Sequence, residues 1–483
     1  MSSAEEEPDT TLDPKDWEAF SRRAHDMLDR ALDKMRTARE GPVWRAPGDA
    51  LHAEFDAPLP PDGIGGEAVS ARIEALLPYG VGNTHPRFFG WVHGSGTPSG
   101  LIPDIAAVAM NANLGGRDHG AIAVEKQVVR WCREMFGYPE EASGLIVSGT
   151  SLATLVAIKV ARDKALNFAP RRAGVDGARL TGYTSVATHS CVAQAFDILG
   201  LGSDALRSLP VTNNHQIDLD ALRAAIARDR AQGCTPFVVI GTAGSVDLGA
   251  IDDLDALADI ARDEGLWYHI DGAFGALAIL SDAIRPRLKG IERSDSLAFD
   301  FHKWLHVTYD AGFVLVRSEE AHRHSFAERP DYLQGAERGL AAGNPWPVDY
   351  GPELSRGFRA LKIWAQLAEH GPRKLGAAIT ANCEQAQYLG RRVADDPALE
   401  LLAPVMLNIC CFRYVVLDHP DLDALNDEIV VELQCQGIAA PSTTTVSGKR
   451  AIRVNLTNHR TRLADLDLLL QEIHRIGAQI CNR

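Results

Sequence analysis

The sequence predicts an α/β protein built on a mostly parallel sheet covered by helices, with a wrapping segment before it and an α+β unit after it. Three observations predict this. Between about residues 104 and 370, short apolar runs alternate with amphipathic helical patterns, as strands joined by helical crossovers do. From Gly41 to about Pro103 the chain is rich in Pro and Gly, which predicts an extended, loop-bearing segment laid over a larger body. From about residue 371, two long helical patterns mix with short strands. With 483 residues the chain exceeds what one core usually supports, and the boundaries suggested are 1–95, 96–371 and 372–483.

The elements follow in order. After a polar tail of about ten residues, Asp13-Pro14 predicts a helix start with Asp as cap and Pro in the first turn. Trp17, Phe20, Ala24, Leu28, Ala31, Leu32 and Met35 recur at helical spacing, giving an apolar face that needs a cover. Strands are predicted at 144–147, 181–187, 237–241, 266–270 and 312–316, with helices at 219–230 and 254–264 between them. Later strands are predicted around 409–416 and 451–456.

Composition excludes several function classes. A formal net charge of -15 leaves no overall basic surface for nucleic acid or an anionic membrane. No stretch approaches the roughly 20 apolar residues of a membrane span. The eight cysteines are scattered, without a C-x-x-C pair, and read as reduced thiols. The acidic start, Met-Ser-Ser-Ala-Glu-Glu-Glu, lacks the basic and apolar regions of a signal peptide, so the expected compartment is the cytoplasm.

Two runs carry the chemistry. Trp267-Tyr-His-Ile-Asp271 ends in a carboxylate, and about thirty residues later Asp300-Phe-His-Lys303-Trp304 offers a lysine. Pyridoxal phosphate needs both: an amine to hold its aldehyde and an anion to keep its ring nitrogen protonated. Gly149-Thr150-Ser151 stands between a strand and a helix, where free N–H groups and two hydroxyls suit a phosphate, although Ser and Thr also serve there as ordinary caps. His189 follows another strand. Its ring is placed to stack on a pyridine, or to act as a hydrogen-bonded structural residue. Ala273 offers a small methyl to the cofactor or a plain turn residue, and Ser245 a hydroxyl nearby. Tyr332 lies in a polar stretch of about thirty residues that reads as a functional lid or a disordered insertion. A phenol carried by a lid suits proton donation.

Together with His85-Pro-Arg-Phe-Phe-Gly90, Ala187-Thr-His-Ser190 and Arg453-Val-Asn-Leu-Thr-Asn458, these motifs resemble group II pyridoxal-phosphate-dependent amino acid decarboxylases, in the aromatic L-amino acid and tyrosine decarboxylase branch, over nearly the whole chain. The resemblance implies the fold type I, aminotransferase-like large domain and a homodimer whose active sites lie at the interface, with the N-terminal helix buried by the partner. It implies catalytic roles for Lys303, Asp271, His189 and Tyr332, with Lys303 bearing the cofactor, Asp271 on the pyridine nitrogen, His189 on the ring and Tyr332 as proton donor. Thr150, Ser151 and His302 then hold the phosphate, with Ser245, Ala273 and Asp300 also against the cofactor. The substrate is expected to be an aromatic amino acid, its pocket lined by Trp91, His93 and Asn113. Rival substrates are glutamate, diaminobutyrate and sulfinate amino acids. In relatives that make aldehydes, phenylalanine typically replaces the lid tyrosine, so Tyr332 argues against that activity. Three features depart from the pattern: Phe301 replaces a usual proline, Val246 stands where many members carry a hydroxyl, and the polar segment 111–119 stands where animal aromatic decarboxylases supply apolar contacts, so the pocket suits a hydroxylated or acidic side chain as well as an aromatic one.

Overall fold

The computed structural model describes residues 11–175, 177–328 and 335–482. Its strands are β1 (Phe88–Phe89), β2 (Ser143–Val147), β3 (Leu180–Ser185), β4 (Leu206–Leu209), β5 (Thr235–Thr242), β6 (Trp267–Asp271), β7 (Ser296–Asp300), β8 (Gly312–Val316), β9 (Leu399–Leu401), β10 (Ile409–Tyr414), β11 (Ala440–Val446) and β12 (Lys449–Asn455). Seven of them form one sheet in the order β2-β8-β7-β6-β5-β3-β4, parallel except for β8, which runs antiparallel to both neighbours. Every residue of β6, β7 and β8 is buried, as expected for strands covered on both faces. Helices Gly120–Phe136, Leu254–Glu264 and Arg359–Ala394 pack their apolar sides on one face. Helices Thr150–Ala165 and Cys191–Ile198 cover the other.

The second sheet has the order β1-β11-β12-β10-β9 and is antiparallel except for the β1–β11 pair. Residues Phe88–Phe89, early in the chain, thus complete the edge of a sheet made from its last quarter. Helices Leu422–Cys435 and Leu463–Cys481 bury Leu425, Ile429, Leu466 and Ile473 against that sheet.

Several expectations are corrected. The first helix, Trp17–Arg36, starts after Asp16, whose carboxylate accepts the Ala19 N–H at 2.9 Å. The cap falls three residues later than predicted, where Asp16 supplies the same short carboxylate acceptor. The stretch 41–103, expected to be extended, contains helices Asp49–Phe55 and Gly66–Leu76. Strands β1, β4, β7, β9 and β11 were not foreseen, and β7 leads directly to Lys303. Phe301, the departure from the expected proline, is fully buried and stacks edge-on against Phe299 and Phe313. Among the described residues no helix is long and apolar enough to cross a membrane.

Candidate active site

Strands β6 and β7 lie side by side in parallel, with Asp271 opposite Ala298, so both deliver their C-terminal ends to the same edge of the sheet. Asp271 closes β6, is 4% exposed, and accepts the Ala273 N–H at 3.1 Å. Burial drives its pKa up, against the pull of that N–H and of the charges on Lys303 and His189. A carboxylate so placed is stabilised most by a cation brought alongside it.

Asp300 closes β7 and divides its oxygens between two tasks. Oδ2 lies 3.0 Å from Lys303 Nζ, and Oδ1 accepts the Thr150 N–H at 2.7 Å. The lysine and the start of helix Thr150–Ala165 are thereby tied to one carboxylate. Gly149 and Gly312 make the turn before that helix possible: a Cβ on Gly312 would lie 2.4 Å from Gly149 Cα. His302 accepts the Ala311 N–H on Nδ1 at 3.1 Å, which leaves Nε2 as its donor. Burial, together with the Lys303 charge and against Asp300, lowers its pKa. Tyr309 stacks on the His302 ring at 4.4 Å between centroids, and burial pushes its phenol up to about 12.

A cavity of about 260 Å³ opens onto these groups, lined by Trp91, Val92, His93, Ala187, His189, Thr242, Gly244, Val246, Asp271, Ala273, Phe274 and Lys303. His189 accepts the Cys191 N–H on Nδ1 at 3.2 Å, which leaves Nε2 as its donor. His93 sits within ring-contact distance of Trp91, Phe88 and Tyr309, and its buried Nδ1 has no partner among the described residues. Burial and the nearby Lys303 and His302 charges lower its pKa. Gly94, next along the chain, lets this segment press on the lysine loop, since a Cβ there would meet His302 O at 2.0 Å. A larger recess of about 1000 Å³, lined by residues such as Trp131, Phe136 and Leu367, contains none of the expected site residues.

The structure brings Asp271, Ala273, Asp300, His302, Lys303, Thr150, His189, Trp91 and His93 together. Ser151 is exposed on the first turn of helix Thr150–Ala165. Ser245 lies apart from the cavity lining; its Oγ accepts the Ala250 N–H at 3.1 Å within its own turn. Asn113 is also outside that lining, with Oδ1 accepting the N–H groups of Gly115 and Arg356. Tyr332 lies outside the described residues. Sequence reasoning missed Thr242, Phe274, Tyr309 and Arg453. The last, 3% exposed, donates to the carbonyls of Trp91, Val246 and Asp247 and so fixes two cavity walls to β12. Its signals were its place at the head of the motif Arg453-Val-Asn-Leu-Thr-Asn458 and its alternation with apolar residues in a predicted strand, neither of which gave it a role.

Pyridoxal phosphate fits these residues on three counts. Thr150 Oγ1 is buried without a partner among the described residues, the Gly149–Gly312 contact leaves little room for a side chain at that turn, and Asp271 stands in need of a cation. A family model described as the pyridoxal-dependent decarboxylase conserved domain matches residues 47–415. The chain belongs to this family. It is a pyridoxal-phosphate-dependent amino acid decarboxylase of fold type I. The decarboxylase is 34% identical over 403 residues to an aromatic-L-amino-acid decarboxylase of Bacillus atrophaeus, covering 82% of each chain. It is 28% identical over 495 residues to histidine decarboxylase of Rattus norvegicus, covering 97% of this chain and 73% of that one. Its fold matches Oryza sativa TDC, solved with pyridoxal phosphate and tryptamine, with a TM-score of 0.88 at 24% identity over 97% of this chain and all of that one.

Proposed function

We propose that this decarboxylase converts an aromatic L-amino acid to its amine and carbon dioxide, working as a homodimer. The observation that carries the substrate class is the wall of the 260 Å³ cavity, where Trp91, Val92, Val246 and Phe274 offer apolar and aromatic surface. No arginine lines it among the described residues, and Arg453 behind it gives its donors to backbone carbonyls and Ser442. A substrate with a distal carboxylate would therefore meet no matching guanidinium. The Bacillus atrophaeus relative named for aromatic amino acids supports the same reading. A polar, non-aromatic side chain is the second reading, favoured by the His93 ring at the cavity wall.

In this mechanism Lys303 would hold the cofactor through its amine. Its ammonium is held by Asp300 until it engages the cofactor. Pyridoxal phosphate, when bound, supplies the electron sink for the pair left as the Cα–carboxylate bond breaks. Asp271 would keep a proton on the ring nitrogen, His189 would pack against the ring, and Ala273 is small enough to leave room for it. Thr150, Ser151 and His302 would hold the phosphate. Tyr332 delivers the proton to Cα, and the apolar cavity walls keep water from that carbon. The three-part organisation, 1–95, 96–371 and 372–483, belongs to the same proposal. So does the burial by a second subunit of the first helix, whose Trp17, Phe20 and Leu32 are exposed in one chain.

The Trp91→Ala variant tests the substrate class. Its kcat/KM for tyrosine, tryptophan or phenylalanine is expected to fall about 10–100-fold, with cofactor binding intact by absorbance titration. Unchanged kcat/KM for every aromatic substrate would remove Trp91 from the pocket and the argument with it.

A further inference from the structure

Arg356 is 4% exposed, yet its guanidinium serves three separate parts of the chain. Nη2 donates to Ile146 O at 2.6 Å and to Glu125 Oε1 at 2.6 Å; Nη1 donates to Leu114 O at 2.8 Å and to Glu125 Oε2 at 3.1 Å. The backbone of Arg356 adds two links, donating its N–H to Asn113 Oδ1 and accepting the Leu114 N–H, both at 2.9 Å. Glu125 is 3% exposed, on helix Gly120–Phe136, and the two form a forked ion pair.

Ile146 gives this contact its meaning. It lies on β2, the edge strand of the large sheet, which leads directly into the Gly149 turn and Thr150. The inner side of that turn is fixed by Asp300 Oδ1 on the Thr150 N–H and by the close approach of Gly312. The outer side is fixed through the Ile146 carbonyl by Arg356. Gly115 lets the 113–116 loop lie against the same segment, since a Cβ there would stand 1.8 Å from Leu354 O.

We propose that Arg356, held by Glu125, is the positioning residue of the phosphate turn. It sets the edge of β2, and hence the direction of the N–H groups and hydroxyl at Gly149–Thr150, without touching the cofactor itself. This rests on the reading that Thr150 and Ser151 hold the phosphate. Packing alone does not account for the pair: apolar residues of similar volume often replace a buried ion pair without loss of stability, but they leave the Ile146 and Leu114 carbonyls without donors.

The test uses the full chain, purified without cofactor, carrying E125L/R356M or R356K. The double variant keeps a packed interior, whereas R356K keeps the charge beside Glu125 but loses the planar fork. For folded E125L/R356M, amide exchange at 146–150 is expected to accelerate, and the Kd for pyridoxal phosphate in a fluorescence titration to rise about tenfold or more. R356K is expected to fall between it and the unaltered protein. A folded double variant with a Kd within about twofold of the unaltered protein overturns the proposal. Should the double variant fail to fold, an unaltered Kd in folded R356K does the same. No substrate enters either measurement: unaltered exchange at 146–150 tells against Arg356, whereas accelerated exchange with an unaltered Kd tells against the phosphate reading on which the proposal rests. A cofactor-loaded protein that leaves aromatic amino acids intact tells against the substrate reading alone.

Discussion

Asp252 and Asp271 are both buried carboxylates, and their partners explain why they do different work. Asp252 accepts the N–H groups of Ile217 and Thr242 at 2.7 and 2.8 Å, closing the end of β5 beside the cavity. Burial nevertheless outweighs those bonds and raises its pKa to about 6. Because the folded value lies above the unfolded one, the folded protein binds the extra proton. The contribution of Asp252 is therefore fully present below about pH 4 and lost as pH rises through about 6, amounting to about 3 kcal/mol at most. Denaturant unfolding from pH 4 to 7 should show Asp252→Asn lacking this component; identical pH profiles would contradict it. Asp271 has one N–H and nearby cations instead, an arrangement that the proposed protonated ring nitrogen would complete. Tyr332 carries the complementary prediction. Tyr332→Phe is expected to bind cofactor normally but shift products toward aldehyde and ammonia, read by mass analysis of the reaction mixture. Amine formation at the native rate would show that another group delivers the proton.

At the scale of elements, the site depends on turns where two segments meet without side chains between them. Gly312 opens β8 and touches Gly149, so Gly312→Ala forces a methyl into the turn proposed to hold the phosphate. The expected result is cofactor affinity reduced about tenfold and stability reduced by about 1–3 kcal/mol, measured by titration and thermal unfolding. Normal affinity would mean the turn can shift freely. Such contacts also mark how much the sequence revealed. Asp271, Lys303 and His189 were legible because each ends or follows an apolar run and has a residue type that the cofactor's chemistry requires. Strand β7 was not separated from the lysine loop, because Ser296–Asp300 is five residues long and runs without a break into Phe301. Ser245 and Asn113 were read from their polar groups, but those groups accept backbone N–H groups in their own turn or from distant Arg356. Tyr309 gave no signal at all. Its contact with His302 arises from the return of the chain after Lys303.

For the whole molecule, the first helix is the element least accounted for by one chain. None of its residues is buried, while Trp17 is 61% exposed and two arginines pair with Glu67 and Glu74 on helix Gly66–Leu76. In the proposed homodimer the second copy would cover an apolar face so left. Sedimentation of the full chain is expected to give a dimer, and deletion of residues 1–36 to weaken it; a monomer at micromolar concentration would contradict the interface reading. Both sheets contribute to the cavity, since β12 holds the Trp91 and Val246 carbonyls while β6 and the loop after β7 bring Asp271 and Lys303. Substrate choice is therefore a property of the assembled molecule rather than of any motif. The most direct measurement is carbon dioxide release by the cofactor-loaded protein across the common amino acids, DOPA and 5-hydroxytryptophan, with products identified by mass. Amines from tyrosine, tryptophan, phenylalanine or DOPA are the predicted result; release confined to glutamate, diaminobutyrate or another non-aromatic substrate would contradict it.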